Sequence, residues 1–170
     1  LPVAHLSWRR PVNIEDRPDE SGKGLFSEVT SVTPEYLKVL QASLVRGRDF
    51  TEHDDTGKLQ VAIVDESTAR TYWPDRDPIG RRLSIRSPRG AGNSPWCTVV
   101  GVIKDINADG LDQSGAPHIY RPIYQFPGSR SLGSSVAVRT SLSATSLEPL
   151  IRREIQAVDP DLPVFNVRTM

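Results

Sequence analysis

The chain has 170 residues, a length that suits one ordinary domain or two small lobes sharing a core. Its 21 basic and 21 acidic residues balance, so no net field favours nucleic acid or an anionic membrane surface as a partner. No run of about 18 apolar residues is present, which argues against a bilayer-spanning segment within this sequence. The only methionine is Met170, and the strand-like run before it has no closing loop, so we expect a piece cut from a longer protein.

The first third of the sequence predicts two strands and a short helix. One strand is predicted around residues 10–15, and the alternating, β-rich run over 25–32 predicts a second with one buried face. Thr33 is predicted to cap a helix over 34–41, because Pro and Glu follow it at positions that suit a first helical turn. Extended structure is predicted to resume at 44–46.

The middle of the sequence predicts a buried strand and a capped helix. The continuous apolar run over 61–64 is typical of a strand covered on both faces. Asp65 is predicted to cap the next helix, which Pro74 ends. The apolar face of this helix comprises Ala69, Tyr72 and Trp73.

A turn and the most hydrophobic strand follow. The Asp-Pro-Ile-Gly turn is predicted to place Gly80 at a positive φ, and a strand is predicted over 82–85. Residues 87–95 are predicted to form a flexible excursion. The run over 96–106 predicts a central strand, with Gly101 at a point of close packing.

The remaining elements are three strands and one helix. The strands are predicted over 118–126, 134–139 and 162–167. Prolines interrupt the first of them, which is therefore expected at a sheet edge. Apolar residues at helical spacing predict a helix over 146–158, capped by Thr145 or Ser146.

One motif fits the first half of a calcium-binding loop. Asp105, Asn107 and Asp109 occur at alternate positions before a glycine, which is the arrangement that hard cations favour. However, Ala116 stands where a bidentate Glu is needed, and a strand precedes the loop in place of a helix. A small-ligand or cation-binding extracytoplasmic module that uses loop 105–117 is therefore the alternative function.

Other candidate chemistry has a simpler structural explanation. His53 lies among Glu52, Asp54 and Asp55, which could form a metal cluster or the site of a hydrolase, but a solvated acidic loop explains them better. Cys97 is predicted to be a small buried residue. Four arginines could form a basic patch or be separately solvated: Arg46, Arg48, Arg81 and Arg82. No catalytic or cofactor-binding residue can be named, and no cofactor is predicted.

The order of the motifs resembles a known family. The quoted segments are VTPEYL from Val32, LVRGRDF from Leu44, VAIVDES from Val61, YWP from Tyr72, DPIGRRL from Asp77, VVGV from Val99, GLD from Gly110, YRP from Tyr120 and DPDLP from Asp159. Together they resemble the periplasmic core domain of macrolide-exporter-type (MacB-like) ABC transporter permeases with FtsX-like membrane segments.

The resemblance implies an α+β fold of two lobes. A βαβ-containing, porter-like lobe would comprise residues 1–50 and 131–170, and a mixed β/α lobe over 51–130 would be inserted into it. The helices predicted over 34–41 and 146–158 would cover one sheet. The acidic loop after residue 50 would be the crossing point between the lobes.

The resemblance also implies function. The domain would be a non-enzymatic, periplasmic part of an integral membrane permease that couples cytoplasmic ATP hydrolysis to export or mechanical work. Its partners would be a second permease copy, a cytoplasmic ABC ATPase and, in some systems, a periplasmic adaptor protein, with no nucleic acid.

Overall fold

A computed structural model of the protein describes residues 8–16, 24–55, 57, 59–86, 95–106, 116–126, 134–165 and 167. Residues 3–137 form one compact unit, and residues 138–170 form a second. Among the described residues, the first unit holds all the strands and two helices, and the second holds one helix. This mixture confirms the predicted α+β class.

The elements of the first unit closely follow the predicted ones. Its strands are β1 (Trp8–Ile14), β2 (Leu25–Val32), β3 (Leu44–Gly47), β4 (Val61–Asp65), β5 (Arg82–Ile85), β6 (Cys97–Ile103) and β7 (His118–Pro122). Its helices are α1 (Tyr36–Val39) and α2 (Glu66–Tyr72), and a short 3-10 helix follows β7 at Ile123–Gln125. Each strand predicted before residue 123 is present; the bounds predicted over 25–32 and 82–85 are confirmed, and the other strands have shifted ends. The excursion predicted over 87–95 lies outside the described residues except at Pro95.

The strands form one sheet in which six of the seven close into a ring. The order is β3-β6-β4-β7-β2-β1-β5, and β5 pairs with β6 as well as with β1. β4 pairs along one side of β6, whereas β5 and β3 share the other side, at its start and its end respectively. The β2–β7 and β4–β6 pairs are parallel, and the others are antiparallel. A closed sheet has no free edge along the ring.

The two faces of the sheet bury different sets of side chains. One apolar cluster draws on all six strands of the ring and therefore marks its interior; it includes Val12, Val29, Val64, Leu83, Cys97 and Ile119. The other face is covered by α1 and the segment after β3, and its cluster includes Leu37, Phe50, Val61, Ile63 and Tyr120. β4 contributes to both clusters, which confirms the prediction that it is covered on both faces.

The predicted start of α2 is confirmed. Oδ1 of Asp65 accepts a hydrogen bond from the backbone N–H of Thr68 at 2.7 Å. The helix ends at Tyr72, and Trp73 is its C-cap. Tyr72 lies inside the ring, where its hydroxyl is 2.6 Å from Oγ of Ser27 on β2. The helix is thereby joined to a strand 45 residues earlier in the chain.

The edge position predicted for β7 is wrong. β7 lies between β2 and β4 and pairs with both. Its prolines are Pro117, immediately before the strand, and Pro122, its last residue. Because proline removes a backbone donor only at its own position, the interior of the strand keeps the donors that two neighbours require.

The helix predicted over 34–41 is a single turn. α1 spans only Tyr36–Val39, and Glu35 is its N-cap, with no side-chain hydrogen bond. The predicted cap, Thr33, contributes only its carbonyl, which accepts from the N–H of Tyr36 at 3.1 Å. Gln41 adopts a φ of 54°, a left-handed conformation that cannot continue a right-handed helix.

The sheet does not follow the predicted lobe boundary at residue 50. β3, which precedes the boundary, and β4, which follows it, both pair with β6. Phe50 and Val61 also share one apolar cluster. The acidic loop therefore connects two strands of the same sheet, because β6 is long enough to pair with neighbours on both sides. The association of residues 1–50 with residues 131–170 stays a prediction.

The second unit is built on α3 (Ala144–Val158). Its N-cap is Ser143, whose Oγ accepts from the N–H of Ser146 at 3.2 Å, so the predicted cap at Thr145 or Ser146 is wrong by two to three residues. Arg152 pairs with Glu148 and donates to the carbonyl of Val164 at 2.7 Å, which fixes the chain after the helix against it.

The strands predicted on either side of α3 are not formed. Residues 134–139 carry no strand, and neither do the described residues 162–165 and 167. A strand requires a hydrogen-bonded neighbour, whereas sequence alternation reports only which side chains share a face.

Candidate functional site

The predicted calcium ligands are only partly described. Asn107 and Asp109 lie outside the described residues, whereas Asp105 follows the end of β6. Oδ1 of Asp105 accepts from the N–H of Ser67, and Oδ2 accepts from the Ser67 hydroxyl at 2.7 Å. Oδ2 also pairs with Arg70 at 3.0 Å. Both carboxylate oxygens are thus engaged in holding α2 against the end of β6.

The charge of Asp105 agrees with that role. Burial acts to raise its pKa, but the hydrogen bonds from Ser67 and the charge of Arg70 outweigh burial, so its pKa lies below the ordinary value. Among the described residues, no group of three or more His, Cys, Asp or Glu side chains is placed to hold a metal ion. A cation site in loop 105–117 stays a prediction.

The acidic loop after β3 is organised by one buried carboxylate. Asp54 is 7% exposed and accepts hydrogen bonds from Nη1 and Nη2 of Arg48 at 2.7 and 2.8 Å. It also accepts from the backbone N–H and the hydroxyl of Thr51. The hydrogen bonds from Arg48 keep the pKa of Asp54 below its usual value, although burial acts in the opposite direction. His53 is exposed in this loop.

We expect Asp54→Ala to lower the free energy of unfolding by about 2 kcal/mol, because it leaves the N–H of Thr51 without its acceptor and releases Arg48. Urea unfolding measures the change. The matched control is Glu15→Ala, which breaks the more exposed ion pair with Arg82 and should lower the free energy by no more than about 0.5 kcal/mol. Equal losses in the two variants would contradict the role given to Asp54.

The four arginines considered as a basic patch each have an acidic partner. The pairs are Arg46 with Asp77, Arg48 with Asp54, Arg81 with Asp16, and Arg82 with Glu15. Their charges are therefore neutralised locally, and a concentrated positive field at these residues is not supported.

Cys97 is fully buried, as predicted, and it lies inside the ring. Burial raises the pKa of its thiol to about 11. Because the thiolate is the reactive form, this environment makes Cys97 a poor nucleophile.

A buried polar group between β2, β4 and β7 was not predicted from the sequence. The His118 ring stacks on Tyr120 with 4.4 Å between ring centroids, and its Nε2 lies 2.8 Å from the hydroxyl of Thr30. Asp65 accepts from the backbone N–H of His118 at 3.2 Å. Burial lowers the pKa of His118 to about 4 and raises that of Asp65 to about 6. The signal in the sequence was weak, since the three elements are far apart along the chain.

Arg121 also escaped the sequence analysis, although it is the centre of the quoted YRP motif. It is half-buried near the end of β7, and its Nε donates to Oγ of Ser31 at 3.0 Å. Its guanidinium lies 4.1 Å from the centroid of the Phe126 ring. Burial lowers its pKa. Arg121 is absent from the ion pairs that the described residues form with one another.

No described helix combines the length and apolar character needed to cross a bilayer. Two described hydroxyl groups lie beside a possible base: Thr30 is 2.8 Å from Nε2 of His118, and Ser67 is 2.7 Å from Oδ2 of Asp105. The features with the most distinctive chemistry are the Asp65–His118 group and Arg121.

Comparison with known proteins identifies the relatives of this chain. The sequence profile of the MacB-like periplasmic core domain matches residues 3–158. A probable export ATP-binding/permease protein from Pseudomonas fluorescens is 32% identical over 120 residues, covering 68% of this chain and 17% of that protein. A macrolide export ATP-binding/permease protein, MacB, from Bdellovibrio bacteriovorus is 26% identical over 101 residues, covering 55% of this chain and 14% of that protein.

The fold is also that of a solved relative. The crystal structure of the periplasmic region of MacB from Actinobacillus actinomycetemcomitans superposes with a TM-score of 0.62 at 18% sequence identity. The match covers 89% of this chain and 64% of that one. This chain corresponds to less than a fifth of the length of the curated relatives named above. From the profile match over residues 3–158, we conclude that the chain belongs to the MacB-like periplasmic core domain family.

Proposed function

We propose that this chain is a non-enzymatic extracytoplasmic domain of an ABC transporter permease, on the periplasmic side of the bacterial inner membrane. Its role is to couple ATP hydrolysis in the cytoplasm to export or to mechanical work across the envelope. The family match over most of the chain supports this proposal, as do relatives whose names describe export ATP-binding/permease proteins.

The closed ring of six strands is the observation that carries the mechanical part of the proposal. Strands in an open sheet can slip or separate at an edge, whereas each strand of a ring is held on both sides. The interior of the ring is filled by packed apolar side chains. Helix α2 is attached to it by a hydrogen bond between Tyr72 and Ser27 and by the bond from Ser67 to Asp105, just after β6. Such a body transmits a displacement with little internal deformation.

The proposed partners follow from the same family. They are a second copy of the permease, a cytoplasmic ABC ATPase and a periplasmic adaptor protein in those systems that use one. Nucleic acid is not among them, because the chain carries equal numbers of basic and acidic residues.

The test is made in the complete parent transporter, reconstituted in lipid vesicles. Residues 3–158 are replaced by a flexible Gly/Ser linker, and ATP hydrolysis and substrate export are measured on the same preparation. We expect export to fall at least about tenfold while most of the ATP hydrolysis persists, because the cytoplasmic ATPase is intact and only coupling is lost. Glu15→Ala, which alters an exposed ion pair alone, should leave both rates unchanged.

Two results would contradict the proposed coupling. Undiminished export by the linker variant would show that the domain does not couple the two processes. A parallel loss of both rates in a correctly assembled complex would place the domain in control of ATP hydrolysis, and the coupling proposal would then fail.

A further inference from the structure

The environment of Arg121 is unusual for a half-buried cation. Arg121 and Ile119 are two positions apart on β7 and so face the same side of the sheet, which at Ile119 is the interior of the ring. Arg121 therefore lies at one end of the ring interior, where β7 ends and the 3-10 helix begins. Phe126, after this helix, covers one face of the guanidinium.

Two contacts orient the guanidinium and use only part of its donor capacity. Nε donates to Oγ of Ser31 on the neighbouring strand β2, and residue 121 pairs with residue 31 in the β2–β7 ladder. The ring of Phe126 restricts rotation out of the guanidinium plane. Among the described residues, no acceptor is bonded to Nη1 or Nη2, so this pair of donors stays available.

Within the described part of the chain, Arg121 also has no counter-charge. No described carboxylate forms an ion pair with Arg121. Burial lowers the pKa of Arg121, Cys97 acts to raise it, and the positive charge of Arg10 makes the smallest contribution, which lowers it. An arginine nevertheless stays protonated in proteins, so a partly desolvated cation is held without an ion-pair partner among the described residues.

Arg82 provides a comparison within the same chain. Its guanidinium also lies over an aromatic ring, that of Trp96, at 5.7 Å. Unlike Arg121, Arg82 is paired with a carboxylate, that of Glu15 at 2.9 Å. Two arginines with similar aromatic contacts therefore differ in whether the protein supplies an anion.

We propose that Arg121 is the centre of an oxyanion-binding site, in which Nη1 and Nη2 together bind a carboxylate or phosphate group. The guanidinium fork matches two oxygens of such a group, and Ser31 and Phe126 hold the fork in a fixed plane before the ligand arrives. The bound anion supplies the negative charge that the described side chains do not. The carboxylate can come from an acidic peptide or a small acid, and the phosphate from a free or lipid-bound phosphate.

The first measurement is thermal unfolding of the protein in sodium acetate, sodium phosphate and sodium chloride at matched ionic strength. Acetate represents the carboxylate class and phosphate the phosphate class, and chloride controls for screening. We expect acetate, phosphate or both to raise Tm by about 2–4 °C in a saturable manner relative to chloride, because the anion binds only the folded state.

The variants locate the effect. Arg121→Gln removes the donors and should abolish the anion-dependent rise in Tm, whereas Arg121→Lys keeps the charge without the fork and should weaken it. The matched control, Arg82→Gln, should retain the full rise because Arg82 already has its carboxylate. A rise with acetate alone identifies a carboxylate site, and a rise with phosphate alone identifies a phosphate site.

A second measurement keeps the test decisive if substitution of Arg121 prevents folding. In the unaltered protein, the Nε–Hε resonance of Arg121 is followed by NMR during the same titrations and should shift with the same saturation midpoint as Tm. The proposal is overturned if this resonance does not move with acetate or phosphate. It is also overturned if neither anion raises Tm above chloride, or if a folded Arg121→Gln variant shows the same rise.

Discussion

Gly101→Ala is expected to lower the free energy of unfolding by about 2–4 kcal/mol, because the added methyl group meets backbone that packs against β6. A Cβ at this position would lie 2.4 Å from the carbonyl oxygen of Arg48 and 3.1 Å from Ile63. The first neighbour is backbone and cannot rotate away. The segment after β3 would have to move off β6, and urea unfolding would measure the loss.

Gly80→Ala separates this clash from the loss of glycine flexibility. Gly80 has a φ of 81°, which an alanine tolerates poorly, but an added Cβ meets nothing within 4 Å. We therefore expect a loss of about 1 kcal/mol from backbone strain alone. If Gly101→Ala is no more destabilising than Gly80→Ala, the close packing of Arg48 on β6 does not limit stability.

The second large effect is the pH dependence of the free energy of unfolding, to which His118 and Asp65 contribute with opposite signs. For His118, burial lowers the pKa from 6.5 to about 4 in the folded state. The unfolded chain therefore takes up the proton first, and stability present above pH 6.5 is lost as the pH falls towards 4. A shift of this size corresponds to about 3 kcal/mol at full effect.

Asp65 acts in the opposite direction. Burial raises its pKa from 3.8 to about 6, although hydrogen bonds from Thr68 and His118 act against the rise. The folded state then binds the proton more tightly, and stability present below pH 3.8 is lost as the pH rises to 6. The size is again about 3 kcal/mol, so the two contributions largely cancel between pH 4 and 6.

Replacing either Asp65 or His118 should reveal the pH dependence of stability that the other residue causes. Relative to the unaltered protein, Asp65→Asn should gain about 3 kcal/mol of stability between pH 4 and pH 6, because the asparagine keeps an acceptor for Thr68 but cannot ionise. His118→Gln should show the reverse trend and gain stability as the pH falls from 6.5 to 4. Urea unfolding at half-unit pH intervals measures both curves. Parallel curves for the three proteins would contradict the assigned titrations.

Local chemistry was sufficient for several elements of the first unit. The apolar run at Val61–Val64 specified a strand buried on both faces, and Asp65 specified the start of the next helix through its own side chain. Gly101 was correctly expected at a close approach. The Asp65 cap is an interaction at the end of its own element, where sequence spacing reports it directly, whereas the segment that approaches Gly101 is brought there by the fold.

The tertiary structure decided how the strands are joined. Pairing of β5 with β6 closes the ring, and this contact depends on which strand edges meet, a property that alternation of side chains does not encode. β7 lies in the interior of the sheet, and residues 134–139 form no strand despite their alternating pattern. Both results depend on which strand edges meet, and the side-chain pattern does not encode that.

For the candidate sites as well, the sequence identified some residues, and the tertiary structure determined their contacts. The Asp105 motif was visible in the sequence, but only the fold brought Ser67 and Arg70 onto its carboxylate. The sequence marked Arg121 only as the centre of the YRP motif, because the proposed anion site depends on a counter-charge that the described residues do not supply. The sequence by itself determined the elements and, through the order of its motifs, the family. The tertiary structure alone decided which buried charges are paired, because pairing depends on side chains brought together from distant parts of the chain.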